Sequence, residues 1–216
     1  MKQLIIIGEG QTEQEFCKDV LYSHFFNKGI IVHNPTIKKS KGGLVPWFNL
    51  KEEIENHLKS SPKAIVTTLI DFYGLKEHHN FPLWSESKIK VRGNERVETI
   101  EKGMHASIDE SLQHRFIPYI QLYEFEALLF SDASIFDSQF DKSEILDYEY
   151  LRETLQTPPE EINEGPATAP SKRLEKIIEG YNKVLHGSLI AHVIGLDIIR
   201  GKCSRFNSWV ETLENI

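Results

Sequence analysis

The chain has 216 residues, a net charge of −7 from 32 acidic and 25 basic side chains, and a 40% hydrophobic composition. Those values fit a folded globular chain and exclude collagen, coiled coil and wholesale disorder. No apolar run reaches the ~18 residues of a membrane helix, and two cysteines, Cys17 and Cys203, cannot build a disulfide framework, so a cytoplasmic chain without membrane contact is expected.

Leu4-Ile5-Ile6-Ile7 is a β-branched apolar run that predicts a buried strand, too short for a signal peptide and followed at once by Glu9. Gly8-Glu9-Gly10-Gln11-Thr12 breaks it. Thr12, with Glu15 three residues on, predicts a capping box ahead of a helix carrying Phe16, Val20, Leu21 and Phe25. Ile30-Ile31-Val32 predicts a second strand, and residues 38–43 a polar loop. Leu50, Ile54 and Leu58 predict a helix over residues 47–58. Residues 64–70 read as the central strand, ended by Asp71. Residues 76–92 predict irregular chain, and residues 93–112 a helix with Val97, Ile100, Met104 and Ile108 on one face. Residues 116–122 predict a strand and residues 124–130 the start of a helix. Residues 171–178, 185–199 and 205–213 carry further helical patterns.

Strand and helix signals thus alternate over residues 1–132, which predicts an α/β fold with a mostly parallel sheet flanked by helices. Residues 133–170 are acidic, hold Pro158, Pro159, Pro166 and Pro170, and read as an irregular insert. Residues 171–216 read as a C-terminal helical extension packed on the core. Charge is uneven: residues 124–164 hold twelve acids and two bases, so the rest of the chain sums to +3. Lys38, Lys39 and Lys41 cluster in one loop, and Lys88, Lys90, Arg92 and Arg96 in another. Such clusters read equally well as solvated surface or as contacts to nucleic acid.

In an open α/β sheet, sites gather at the carboxyl ends of the strands. Glu9, Asp71, Glu124 and Glu126 all follow predicted strands, and Glu13 lies about one helical turn beyond Glu9. Converging carboxylates repel unless a cation neutralises them, and a hard divalent ion, Mg²⁺ or Mn²⁺, suits oxygen ligands. Each acid also has a plain structural reading. Glu9 and Glu124 could favour a helix N-terminus, Asp71 could form a turn, and Glu13 could be a solvated helical residue. Glu126 stands apart, because Phe125, Ala127, Leu128, Leu129 and Phe130 surround it and a carboxylate there needs a partner. Ala169-Pro170-Ser171-Lys172-Arg173 reads as a helix N-terminus flanked by cations, which predicts a phosphate site. Gly8 to Thr12 is neither a Walker A loop nor a dinucleotide fingerprint. The nine histidines show no zinc spacing, and Ser171 has no nucleophile-elbow context.

Gly8-Glu9-Gly10-Gln11-Thr12-Glu13 resembles the first motif of TOPRIM domains, above all those of the overcoming-lysogenisation-defect nucleases. The resemblance continues through Thr68-Leu69-Ile70-Asp71-Phe72-Tyr73-Gly74, Tyr123-Glu124-Phe125-Glu126-Ala127-Leu128-Leu129-Phe130, the stretch from Pro158-Pro159 to Arg173, and Gly195-Leu196 to Trp209. Together these look like a family of small TOPRIM-like proteins often encoded beside ATPases in bacterial defence loci. The resemblance implies a TOPRIM/Rossmann-like fold and a metal-dependent nuclease, the effector of an anti-phage system. It implies that Glu9 and Asp71 are catalytic and bind Mg²⁺ or Mn²⁺ with Glu13 and Glu126. Tyr73 stands where the family has a second Asp, and Glu124 would substitute. Lys172 would contact the scissile phosphate, with Gly10, Ser171 and Arg173 also binding phosphate. The implied partners are nucleic acid, DNA ahead of RNA, and an ATPase, in a homo- or hetero-oligomer. The alternative is a non-catalytic TOPRIM-like subunit that binds a partner ATPase or nucleic acid.

Overall fold

Strand β1 (Lys2–Gly8) fixes the architecture, because its apolar run is buried on both faces. Leu4 and Ile6 enter one core and Ile5 and Ile7 the other. A strand buried on both faces belongs inside a parallel sheet covered by helices, and the computed structural model shows that arrangement for residues 1–38, 43–163, 165 and 167–216. The expectations for Lys39, Lys41 and Pro166 lie outside these described residues.

β1 pairs in parallel with β2 (Ile30–His33) on one side and β3 (Ala64–Asp71) on the other. β4 (Phe116–Ile117) and β5 (Ile120–Gln121) run parallel along the far edge of β3. The order is β2-β1-β3-β4, with β5 also on β3. The chain therefore leaves β1 for one side of the sheet and then crosses to the other. This puts a topological switch point, and the crevice it opens, between the carboxyl ends of β1 and β3.

Helices cover both faces. Leu4, Ile6 and Leu69 pack with α1 (Gln11–Phe16), which continues through a π turn at Cys17–Leu21 into α2 (Tyr22–Asn27). The same core takes in α9 (Pro170–Ile177), α10 (Lys183–Ile194), α11 (Leu196–Lys202) and α12 (Ser204–Glu214). On the opposite face Ile5, Ile7, Val66 and Ile70 pack with Leu50 and Ile54 of α3 (Trp47–Ser60) and Val97 and Ile100 of α5 (Gly93–Ser107). Among the described residues no single helix is long and apolar enough to cross a membrane. α10 and α11 are apolar enough together but bend by 88°, at Gly195, whose φ of +83° breaks the single helix expected over residues 185–199.

Other departures have local causes. Thr12 is not the cap. The helix starts at extended Gly10, whose N–H donates to the Glu13 carboxylate at 2.8 Å, so the capping box lies two residues earlier than its Ser/Thr pattern suggests. The irregular stretch 76–92 contains a short helix, α4 (Trp84–Lys88), and the helix expected over residues 93–112 ends at Ser107, with a short α6 (Glu110–Gln113) after it. The expected strand over residues 116–122 is split by Pro118, which has no N–H for the ladder. The Thr68 hydroxyl closes that gap, accepting the Tyr119 N–H at 3.0 Å and donating to the Tyr119 carbonyl at 2.8 Å. The helix expected from residue 124 takes the tighter 3₁₀ form, one 3₁₀ turn running on into the next over Phe125–Ser131. Residues 133–170 hold α7 (Ser134–Gln139) and α8 (Tyr148–Thr154), and Ile135, Phe136, Ile145, Leu151 and Ile162 are buried in the first core. The acidic composition there describes an outer surface, not an unpacked segment.

Thr68→Val keeps the shape but leaves two buried backbone groups of Tyr119 unsatisfied. It is expected to lower unfolding stability by roughly 2–4 kcal/mol in urea titration. A loss under about 0.5 kcal/mol would show that the bridge carries no such weight.

Candidate functional site

The crevice between β1 and β3 is built of carboxylates. β1 ends at Gly8, and Glu9 continues across the gap. Its N–H donates to the Leu69 carbonyl at 3.2 Å, and its Oε2 accepts the Asp71 N–H at 3.2 Å. Asp71, the last residue of β3, accepts the Phe125 N–H at 2.9 Å through Oδ1 and so ties the sheet to the 3₁₀ turn Phe125–Ser131. Glu124, just before that turn, accepts the Ser171 N–H at 2.8 Å, the first free amide of α9. Glu126 is fully buried within the turn. Tyr123 precedes these acids with φ +62°, a backbone strain of the kind found at functional sites.

Lys183 is the counter-charge. It opens α10, where Asn182 caps the helix by accepting the Leu185 N–H at 3.0 Å. Its Nζ lies 3.1 Å from Glu126 Oε1 and 3.8 Å from Asp71 Oδ2. Neither Glu126 oxygen makes an aligned hydrogen bond among the described residues, so the Lys183 contact is an ion pair. One ammonium does not neutralise this cluster. Burial, then the Glu13 charge, push the Glu9 carboxyl up to about 7. Burial pushes Glu126 up to about 7, with Lys183 opposing and Glu124 adding to the rise. Burial also holds Asp71 well above the usual range, again against Lys183. Burial works against the Lys183 charge, but Asp71 and Glu126 outweigh it and keep the ammonium protonated.

The structure therefore brings Glu9, Glu13, Asp71, Glu124 and Glu126 to one place. Of the expected phosphate ligands it brings Gly10 and Ser171 against the cluster, with their amides taken, but turns Lys172 and Arg173 to other partners. Lys172 is half exposed and pairs with Glu175 at 2.6 Å, so it is not the cation of this cluster. Arg173 is buried and donates to the Thr168 carbonyl and the Thr154 hydroxyl, bracing α9 against α8. The Ser171 amide is taken by Glu124 and the Gly10 amide by Glu13. The chain's own carboxylates fill the helix N-terminus that the sequence pattern assigns to phosphate and the one at Gly10 that the resemblance implies. Tyr73, where the resemblance expects an Asp, donates its N–H to the Tyr123 carbonyl at 2.8 Å. The residue missed in the sequence is Lys183. Its signal was an Asn-Lys pair opening an apolar helix, where a cation runs against the helix dipole.

Among the described residues no three His, Cys, Asp or Glu side chains stand close enough to hold a metal ion. The donor chemistry nonetheless fits a hard divalent cation: the acids supply only oxygen ligands, and Glu126 is a buried carboxylate without a hydrogen bond. Lys183 stands between Asp71 and Glu126, where positive charge is called for.

Residues 8–214 match the domain of unknown function DUF4276, and the chain belongs to that family. No curated protein and no solved structure matches the chain.

Between pH 4.5 and about 7, the folded chain holds protons on Glu9 and Glu126 that the unfolded chain has released. Stability from these two groups is therefore complete below 4.5 and falls as pH rises to about 7. Glu126→Gln removes one of them. The variant is expected to gain roughly 2–3 kcal/mol on the wild type between pH 5 and pH 8, the order set by a rise from 4.5 to about 7. Parallel stability curves for the two proteins would contradict this electrostatic account.

Proposed function

We propose that this chain is a metal-dependent phosphodiesterase that cleaves nucleic acid, serving as the effector subunit of a bacterial anti-phage system. The observation that supports it is the gathering of Glu9, Asp71 and Glu126 at the switch point of a parallel sheet, with more negative charge than Lys183 balances. Acids are concentrated there at a cost to folding, as expected where a site is built to take up positive charge. The motif resemblance adds the phosphodiester as substrate.

Glu9, Asp71 and Glu126 would hold Mg²⁺ or Mn²⁺. A bound divalent ion supplies Lewis acidity and charge neutralisation at a phosphodiester. Glu9, Asp71, Glu13 and Glu124 each give one oxygen to a backbone amide, so Glu13 and Glu124 would both fix the loops and complete the ligand set with their other oxygen. The motif resemblance gives Glu9 a further role, as base toward an attacking water. Lys183 takes over the role the sequence pattern assigned to Lys172, holding positive charge for the phosphate; among the described residues it is the cation paired with these acids. A partner ATPase fits a chain without a nucleotide-hydrolysing motif.

One observation favours a second reading, a non-catalytic subunit that binds an ATPase or nucleic acid. Lys183 already fills the place between Asp71 and Glu126, and among the described residues no three acids are poised around a common point.

Incubation with plasmid, single-stranded DNA and RNA, in Mg²⁺ or Mn²⁺ and in EDTA, separates the two. The nuclease reading expects metal-dependent cleavage that drops roughly 10²-fold or more in Glu9→Ala and Asp71→Asn, the scale of losing electrostatic stabilisation of a charged transition state. No cleavage and no Mn²⁺ uptake in calorimetry would leave the non-catalytic subunit. No cleavage with Mn²⁺ uptake that both variants abolish would make the partner ATPase the next reagent.

A further inference from the structure

Lys88-Ile89-Lys90-Val91-Arg92 runs from the last residue of α4 to the residue before α5, alternates cations with apolar residues and lies in no strand. Val91 is 96% exposed and Ile89 78%, the two most exposed large hydrophobic side chains among the described residues. Lys88, Lys90 and Arg92 are exposed beside them. Lys88 is shared with solvent-facing Glu77 at 2.8 Å, whereas Lys90 and Arg92 show no ion pair among the described residues. Apolar side chains left this open, interleaved with exposed cations, mark a surface kept for a partner. A short run of exposed cations suits a chain of phosphates, and the exposed apolar residues among them suit bases or sugars.

The ribbon is rooted beside the acids. Gly93 follows Arg92 and packs so closely on Tyr123 that a Cβ there would lie 2.8 Å from the Tyr123 hydroxyl. Tyr123 directly precedes Glu124. One turn into α5, the Arg96 guanidinium lies over the Phe72 ring at 5.0 Å, and Phe72 directly follows Asp71. A cavity of about 1050 Å³ opens alongside, lined by Val91, Arg92, Asn94, Tyr123 and Arg205 among others. Two of its acids are already engaged, Glu101 by Arg205 and Glu160 by the amides of Arg205 and Phe206.

We infer that Lys88, Lys90 and Arg92 form a phosphate-contacting track that holds a nucleic-acid strand beside the acid cluster, with Ile89 and Val91 against its bases or sugars. This rests on the nucleic-acid part of the proposed function. It also answers how a chain with net charge −7 can hold a polyanion: the contact is local.

The test is anisotropy binding of labelled single-stranded DNA and RNA in EDTA, across 50–200 mM salt, so that cleavage plays no part. The full-length wild type is compared with a Lys88→Ala/Lys90→Ala/Arg92→Ala variant, an Ile89→Ser/Val91→Ser variant, and a control carrying alanine at the exposed Lys63, Lys102 and Lys142. The ribbon charge variant is expected to bind at least ~10-fold more weakly and to lose about 2 from the slope of log K against log salt, at ~0.7 for each single-strand phosphate contact. The serine variant is expected to weaken binding without changing the slope. Unchanged melting temperatures show that each fold is intact. Equal losses in ribbon and control variants would reduce the effect to bulk charge and overturn the track, as would wild-type affinity in the ribbon variant or no binding by the wild type. Cleavage with the ribbon variant still binding normally would sink the track and leave the nuclease standing. Ribbon-dependent binding without any metal-dependent cleavage would do the reverse.

Discussion

The structure turns on a set of carboxylates that each take a backbone amide from another part of the chain. Glu9 accepts from Asp71, Asp71 from Phe125, Glu124 from Ser171 and Glu13 from Gly10. In sequence these contacts span up to 62 residues, and in space they meet at the switch point between β1 and β3. They fix the end of β3 to the 3₁₀ turn, and that turn to α9. A buried carboxylate is tolerable when it receives such donors. Glu126 receives none from another element among the described residues, and its burial is offset by the Lys183 ammonium and by its own backbone amide.

That exception separates a scaffold from a site. A chain selected only for stability would place a glutamine or a hydrophobic residue where Glu126 sits, since replacing a buried ion pair by well-packed apolar groups is often neutral or stabilising. Here the acid is kept, its carboxyl pushed up to about 7, beside Glu9 held at a similar value and Asp71 well above its usual range. The local rules of folding are broken at one point and obeyed around it: the Thr68 hydroxyl repairs the ladder at Pro118, Glu160 satisfies the start of α12, and Trp209 donates to Thr67 at 2.9 Å to seat that helix on the sheet. Such localised violation is the pattern expected of a functional site.

The strands, the two-sided burial of β1 and the acids at the strand ends were legible in the sequence, because hydrophobic period and strand-end position are local signals. The cation was not. Lys172 carried the local signal, a base after a helix-opening Pro-Ser, but which way a surface lysine turns depends on its neighbours, and Glu175 one turn on captures it. Lys183 carried almost none, since its place is set by the packing of α10 against α1 and against the turn that holds Glu126. The helix N-termini misled for a related reason. Sequence shows that an N-terminus wants an anion but not that a carboxylate 47 residues away already supplies it. The acidic stretch after residue 133 misled through composition, which averages an exposed face with the buried Ile135, Phe136 and Leu151.

The position of Lys183 bears on how the two functional readings relate. A cation in the first turn of a helix faces the positive end of the dipole, and burial adds a further penalty to its charge. Asp71 and Glu126 are what hold it there, and its side chain remains 42% exposed. Any added positive charge on those two acids removes the attraction that keeps Lys183 in place, leaving the dipole and burial to drive it outward toward solvent. The ion pair that closes the cluster is thus the contact most readily exchanged. The lack of three poised acids describes the lysine-paired arrangement and does not decide between a degenerate site and one that opens when Lys183 is displaced. The two readings differ in a single quantity, the affinity of Asp71 and Glu126 for a divalent ion relative to their own lysine.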